Sequence, residues 1–236
     1  MSSNGLLKSS LAKKYFMALT GLFLCLFLVG HLLGNLQLFD ISSEGAEKFN
    51  LYAKFMTTNP LIKVLSYLTY ASVLFHVIDG FVLTIRNRQA RPVKYVVEKG
   101  SANSSWSSRN MALLGTILLV FIVTHMQNFW YVMHFGEVGT LTVGGEEIKD
   151  LHTVVMNFFN PAINSYAPVM VGLYVFAMAA MGFHLQHGFS SAFQSLGLNH
   201  PTYTPLIKKA GMGFCILVPL AFAAIPVFLY YSQIAH

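Results

Sequence analysis

The sequence predicts an all-α, polytopic membrane protein with five transmembrane helices. Three observations carry that prediction. Only 10% of the 236 residues are charged, against about 25% in a soluble domain. The mean hydropathy is +0.56. The charges are also confined to short segments between long uncharged runs, which place spans at about 15–39, 61–86, 109–135, 165–193 and 208–232 of one domain, 1–236. Each span covers the ~20 residues that cross ~30 Å of hydrocarbon at about 1.5 Å per residue.

The elements follow in order. Residues 1–13 read as a short amphipathic or frayed cytoplasmic lead. The first span, Tyr15–Phe39, is uncharged and carries His31. It is too long for the apolar core of a signal peptide and lacks a small-x-small cleavage site, so it is expected to remain as a span. In 40–60, Glu44-Gly-Ala-Glu-Lys48 followed by Asn59-Pro60 predicts a short interfacial helix ended by a turn. Val64–Ile85 holds a single charge, Asp79. The loop 87–108, with Arg91-Pro92 and Gly100-Ser-Ala-Asn-Ser-Ser105, reads as irregular, and Asn110–Gly136 is again uncharged. In 137–150, Gly144-Gly145 between Leu141-Thr-Val143 and Glu146-Glu147 predicts a small hairpin. Leu151–Ile207 is uncharged, and Pro161 and Pro168 put its helix proper at about Ser165–Phe193. Ala210–His236 closes the chain.

Basic residues cluster on one side of the spans. Lys8, Lys13 and Lys14 precede the first; Arg86, Arg88, Arg91, Lys94, Lys99 and Arg109 join the second and third; Lys208 and Lys209 precede the fifth. The opposite loops are acidic or mixed, with Asp40, Glu44, Glu47, Lys48 and Lys54, Lys63 at the start of the second span, and then Glu137, Glu146, Glu147, Lys149 and Asp150. The positive-inside bias therefore predicts a cytoplasmic N-terminus and a periplasmic C-terminus in a bacterial inner membrane. The basic residues flank spans and form no aromatic-interleaved groove, which excludes a nucleic-acid binder. Cys25 and Cys215 fall within spans, and no disulfide framework is readable.

Four histidines, His31, His76, His125 and His184, sit inside four different spans. An imidazole in hydrocarbon is rare and costly, and marks a functional site by default. His31 lies 17 residues beyond Lys14 and His125 lies 16 beyond Arg109, roughly 25 Å up from the cytoplasmic ends of their spans. His76 is 10 residues before Arg86 and His184 is 10 before Gln194, roughly 15 Å up. His31 then faces His125, and His76 faces His184. A lone intramembrane histidine more often hydrogen-bonds across helices, but two level pairs are what two bis-histidine haems in a four-helix bundle require, with the fifth helix alongside. No C-x-x-C-H stretch exists, so such haems are non-covalent, b-type.

His187 competes with His184, since i and i+3 share a helix face. His134, His152, His200 and His236 read as ordinary residues of span ends and loops. Gly21 and Gly115 each stand ten residues before a proposed ligand, at the depth of the other pair. They either make room for the inner porphyrin or belong to ordinary small-residue helix packing. Asp79, one turn after His76, is expected to meet Arg109 in an ion pair or to accept a hydrogen bond from a ligand.

Thr20-Gly21-Leu-Phe-Leu with Gly30-His31, Phe75-His76-Val-Ile-Asp-Gly80, and Phe183-His184-Leu-Gln-His-Gly188 resemble the dihaem cytochrome b membrane anchor of succinate dehydrogenase and fumarate reductase, in its single-chain five-helix form. The resemblance implies pairing of the first ligand with the third and the second with the fourth, with His184 rather than His187 on iron. It also implies flavoprotein and iron–sulfur subunits on the cytoplasmic face, and electron exchange with membrane menaquinone or another quinone. Arg86, Arg88, Trp106, Ser108 and Arg109 are then placed to hold haem propionates. Asn35, Gln37, Glu47, Asn50, Gln127, Asn128 and Trp130 are polar candidates for an outer quinone site, Glu47, Asn50, Asn35 and Gln127 foremost. The sequence departs from the pattern in having Asn50 where some relatives carry a carboxylate, and Gly182 where relatives may have an acid two residues before the fourth ligand. Two rival classes are a cytochrome b of a hydrogenase or formate dehydrogenase, and a transporter with Asp79 as its ion site.

Overall fold

A computed structural model describes residues 9–90, 102 and 104–234. The basic residues Lys8, Arg91, Lys94 and Lys99, along with His236, lie outside the described residues, as do most of the lead and much of the 87–108 loop.

The first helix, α1 (Ser10–Asn35), continues as a 3-10 turn over Leu36–Phe39. Next comes α2 (Ser43–Thr58), the short helix expected between the first two spans. The Ser42 hydroxyl caps it by accepting from the Gly45 amide at 3.1 Å, and Glu44 sits in its first turn, where a negative charge complements the helix dipole. Asn59 then does two things. Its backbone is extended, as a residue before proline must be, and its side-chain oxygen accepts from the Leu61 amide at 2.9 Å. The helix α3 (Pro60–Gln89) therefore begins on the proline itself, where the missing N–H costs nothing.

A one-turn helix α4 (Trp106–Arg109) leads into α5 (Met111–His125), a π-helical segment Met126–Tyr131, and α6 (Val132–Phe135). The expected hairpin is present, with β1 (Thr140–Val143) antiparallel to β2 (Glu146–Lys149) and Val143 opposite Glu146. Gly144 and Gly145 have φ of +59° and +85°, the left-handed backbone that a two-residue turn of this kind requires. A short helix α7 (Leu151–Phe158) follows, then the long α8 (Ala167–Ser195) and α9 (Thr204–Ser232). Gly197, at φ +74°, closes α8, with its amide on the Gln194 carbonyl and that of Leu198 on Phe193.

Five helical stretches are long and apolar enough to cross a membrane: Leu11–Phe39, Pro60–Gln89, Met111–Phe135, Ala167–Ser195 and Thr204–Ser232. Their outward side chains are apolar. Leu26, Leu33, Leu61, Leu206 and Leu217 are each 62–69% exposed, a surface suited to lipid and not to water. Contacts within the chain form two compact units. The first comprises the described parts of Met1–Phe27, Leu68–Leu119 and Ala180–Ile216; the second comprises Leu28–Tyr67, Val120–Ala179 and the described part of Leu217–His236. In the second unit, Leu38, Phe159, Tyr174, Ile225 and Leu229 form a buried cluster, with Phe49, Phe121, Phe129 and Phe222 packed on it.

Candidate functional site

Each unit contains one pair of intramembrane histidines. In the first unit, His76 of α3 and His184 of α8 bring their ring centroids to 6.2 Å, with planes at 63°. In the second, His31 of α1 and His125, the last residue of α5, lie at 5.9 Å and 89°. These are the partners assigned by depth, and the ring that meets His76 belongs to His184 and not to His187.

Around the first pair, Thr20 places its hydroxyl 3.1 Å from His76 Nδ1. A Cβ on Gly21 would stand 3.3 Å from His76 Cε1, and one on Gly115 would stand 3.7 Å from His184 Cε1. Both glycines thus lie directly against an imidazole. His184 Nδ1 is buried without a hydrogen-bond partner among the described residues. Asp79, buried in α3, holds Lys13 at 2.8 Å. The cation is therefore a residue of α1, where the sequence pointed to Arg109. Arg109 is exposed and donates from Nη1 to the Ser104 carbonyl. Trp106 packs edge-on against Phe183, the residue before His184, with centroids 5.3 Å apart.

Around the second pair, the Tyr174 hydroxyl lies 3.3 Å from His125 Nδ1. Phe121 stacks on His125 at 5.5 Å and 26°, Phe129 meets it edge-on at 5.3 Å, and Phe222 lies 5.7 Å from His31. The π segment begins at the residue after His125, and such segments inside α-helices are frequently functional.

The spacing within each pair would admit a shared metal: two imidazoles bound to one metal through nitrogens at about 2 Å, with rings of about 1 Å radius, would have centroids about 6 Å apart. Among the described residues no three His, Cys, Asp or Glu side chains gather as a ligand set for a free ion. Two imidazoles alone are too few for a protein-only metal site, but suffice for an iron that brings four porphyrin nitrogens with it. The unpartnered Nδ1 of His184 accords with this donor set.

Of the four foremost outer polar candidates, two are exposed and two hydrogen-bond within the fold. Glu47 and Gln127 are exposed. The Asn35 amide donates to the His31 carbonyl at 2.8 Å. Asn50, only 1% exposed, uses its amide within the fold, with Nδ2 donating to Asp150 at 2.8 Å and Oδ1 accepting from the His152 backbone amide at 2.9 Å. Among the described residues no hydrogen bond or ion pair links any two of these four. Asn50 is thus a clamp between α2 and the start of α7, and its neighbours titrate. Burial raises the Asp150 carboxyl, but hydrogen bonds from Thr153 and Asn50 more than offset it and leave it below the usual carboxylate range. Burial lowers His152, against the opposing pull of Asp150 and Asp40.

Sequence reasoning missed Tyr174, Lys13 as the partner of Asp79, and the hydroxyl role of Thr20. Only Thr20 carried a signal, standing beside Gly21 in the motif quoted above. No family model, curated protein or solved structure matches this chain.

Proposed function

We propose that this chain is the cytochrome b membrane-anchor subunit of a succinate:quinone oxidoreductase, a succinate dehydrogenase or fumarate reductase. The observation that carries the reading is the meeting of four intramembrane imidazoles, one from each of four spans, as two pairs at 5.9 and 6.2 Å. The motifs around His31, His76 and His184 direct it to this class of complex.

In this reading His76 and His184 hold one b-type haem and His31 and His125 the other. When bound, the haems supply reversible one-electron transfer. The chain supplies everything else. Its imidazoles hold the iron, Gly21 and Gly115 keep space beside the inner ligands, and Arg109 with the basic residues of the cytoplasmic side holds propionates. The apolar aromatic cluster around His125 excludes water. The basic side receives the flavoprotein and iron–sulfur subunits, and the quinone exchanges electrons at the outer end, where Glu47, Asn35, Asn50 and Gln127 are the polar residues first considered.

The test is the visible spectrum and haem content of the purified complex. Two b haems per chain are expected. Replacing His76 or His184 with alanine removes one of them, and replacing His31 or His125 removes the other. A colourless protein, or one haem per chain, overturns the scheme. Co-purification with a cytoplasmic flavoprotein separates this reading from cytochromes b whose catalytic partner docks outside.

A further inference from the structure

In each pair, one imidazole has its Nδ1 against a side-chain hydroxyl, and the hydrogen-bond inventory of those hydroxyls decides what the ring nitrogens can do. A histidine ligates through an unprotonated nitrogen, so the other nitrogen must carry the proton, and whatever accepts from it sets ring orientation and ligand basicity. Thr20 donates its one hydroxyl hydrogen to the Phe16 carbonyl at 2.7 Å and also approaches that of Met17 at 3.3 Å. What it offers His76 Nδ1, 3.1 Å away, is therefore a lone pair. The Met17 carbonyl is a second acceptor beside the same ring, and Nδ1 keeps its proton. The other inner ligand has no such anchor, since His184 Nδ1 is buried without a partner among the described residues.

The second pair repeats the arrangement with different chemistry. The Tyr174 phenol lies 3.3 Å from His125 Nδ1, and a phenol both donates and accepts. Asn128, in the π segment, donates to the same phenol, so the Tyr174 oxygen already serves there as an acceptor and its own hydrogen can go to His125 Nδ1. Phe121, stacked on one side of the ring, and Phe129, edge-on at another, hold it in this orientation.

We propose that Thr20 is a positioning residue that fixes the iron-competent tautomer of His76 and lowers the reduction potential of the iron that ligand holds. The proposal rests on the haem reading above. An acceptor on Nδ1–H makes the imidazole a stronger donor, which favours oxidised iron; removing the acceptor raises the potential.

The experiment is a redox titration of the visible spectrum of the full-length chain in its membrane complex, comparing wild type with Thr20→Val and Thr20→Ser. Thr20→Val should raise the midpoint of one haem and leave the other unmoved. A tenfold shift in the oxidised-to-reduced ratio corresponds to about 59 mV for a one-electron couple. Thr20→Ser, which keeps the hydroxyl, should retain the wild-type value. If Thr20→Val loses pigment, full loading and a wild-type midpoint in Thr20→Ser support the hydroxyl role, while equal loss in Thr20→Ser overturns it. A fully loaded Thr20→Val protein with both midpoints unmoved overturns the inference and leaves the haem reading intact. A wild-type complex without haem overturns that reading and the inference with it.

Discussion

Replacing Gly21 and Gly115 by alanine, one at a time, separates a ring contact from ordinary helix packing. A Cβ at Gly21 would lie 3.3 Å from His76 Cε1 and 3.7 Å from its Nδ1, whereas one at Gly115 would lie 3.7 Å from His184 Cε1. Carbon atoms rest about 3.5–4.0 Å apart, so the second contact is ordinary and the first forces the His76 ring to yield by a few tenths of an ångström. That ring is not free to move, because Thr20, the neighbour of Gly21, holds its Nδ1 at 3.1 Å. Overpacking a fixed group costs about 1–3 kcal/mol. Alanine also favours both helices by roughly 0.5–1 kcal/mol over glycine, and the two variants share that gain. The difference between them therefore isolates the ring contact. Gly21→Ala should lower the stability of the detergent-solubilised protein by about 1–3 kcal/mol relative to Gly115→Ala, read as a fall in Tm. Equal Tm values in the two variants would refute the reasoning.

Three further outcomes are expected. Lys13→Met strands Asp79 as an unpaired carboxylate and should destabilise the detergent-solubilised protein by about 3–5 kcal/mol, read as a fall in Tm, while Lys13→Met with Asp79→Asn together should recover most of the loss. Asn50→Leu takes one donor from the Asp150 carboxylate, which keeps those of Thr153, and strands the His152 amide, at about 1–3 kcal/mol for the group left unsatisfied; a variant with wild-type Tm would show that the clamp is dispensable. The Asp150 carboxyl is held low in the folded protein. Its contribution to stability is thus present above the unfolded-state pKa and disappears as pH falls through the lowered folded value. Asp150→Asn should flatten that acid limb in a Tm-against-pH series.

The spans were legible because lipid demands long uncharged runs, and the chain offers five. The hairpin was legible from Gly144-Gly145 and the start of α3 from Asn59-Pro60, each a local backbone requirement. Which imidazoles meet could be worked out from residue counts to the nearest basic end, because a helix converts sequence into depth at a fixed rise. The rest depended on contacts between distant segments. Tyr174 sits in an apolar run with nothing to single it out, and its role exists only because α8 passes His125. Asn50 found its partners 100 and 102 residues away. Lys13 looked like a member of an interfacial lead, and only the fold shows that its long side chain reaches Asp79. A π segment leaves no recognised mark in composition, so the irregularity after His125 was invisible.

The contacts between α1 and α3 also explain why His76 is where it is. Lys13 holds Asp79 at 2.8 Å, Met17 Cε would lie 3.6 Å from a Cβ on Gly80, and Thr20 reaches His76 at 3.1 Å. Read along α1, residues 13, 17 and 20 meet 79, 80 and 76 of α3, the last step running backwards as antiparallel helices require and the long lysine side chain reaching past its own level. Apolar packing between helices in lipid discriminates weakly among registers, since tails are as apolar as leucine. Polar contacts worth about 1–2 kcal/mol apiece then select one. A slip of a single turn, about 5.4 Å, would strand Asp79 in hydrocarbon and take Thr20 away from His76 together. Lys13, Asp79 and Thr20 therefore fix the height and orientation of His76, and the 6.2 Å separation of His76 and His184 follows from contacts made by the chain itself.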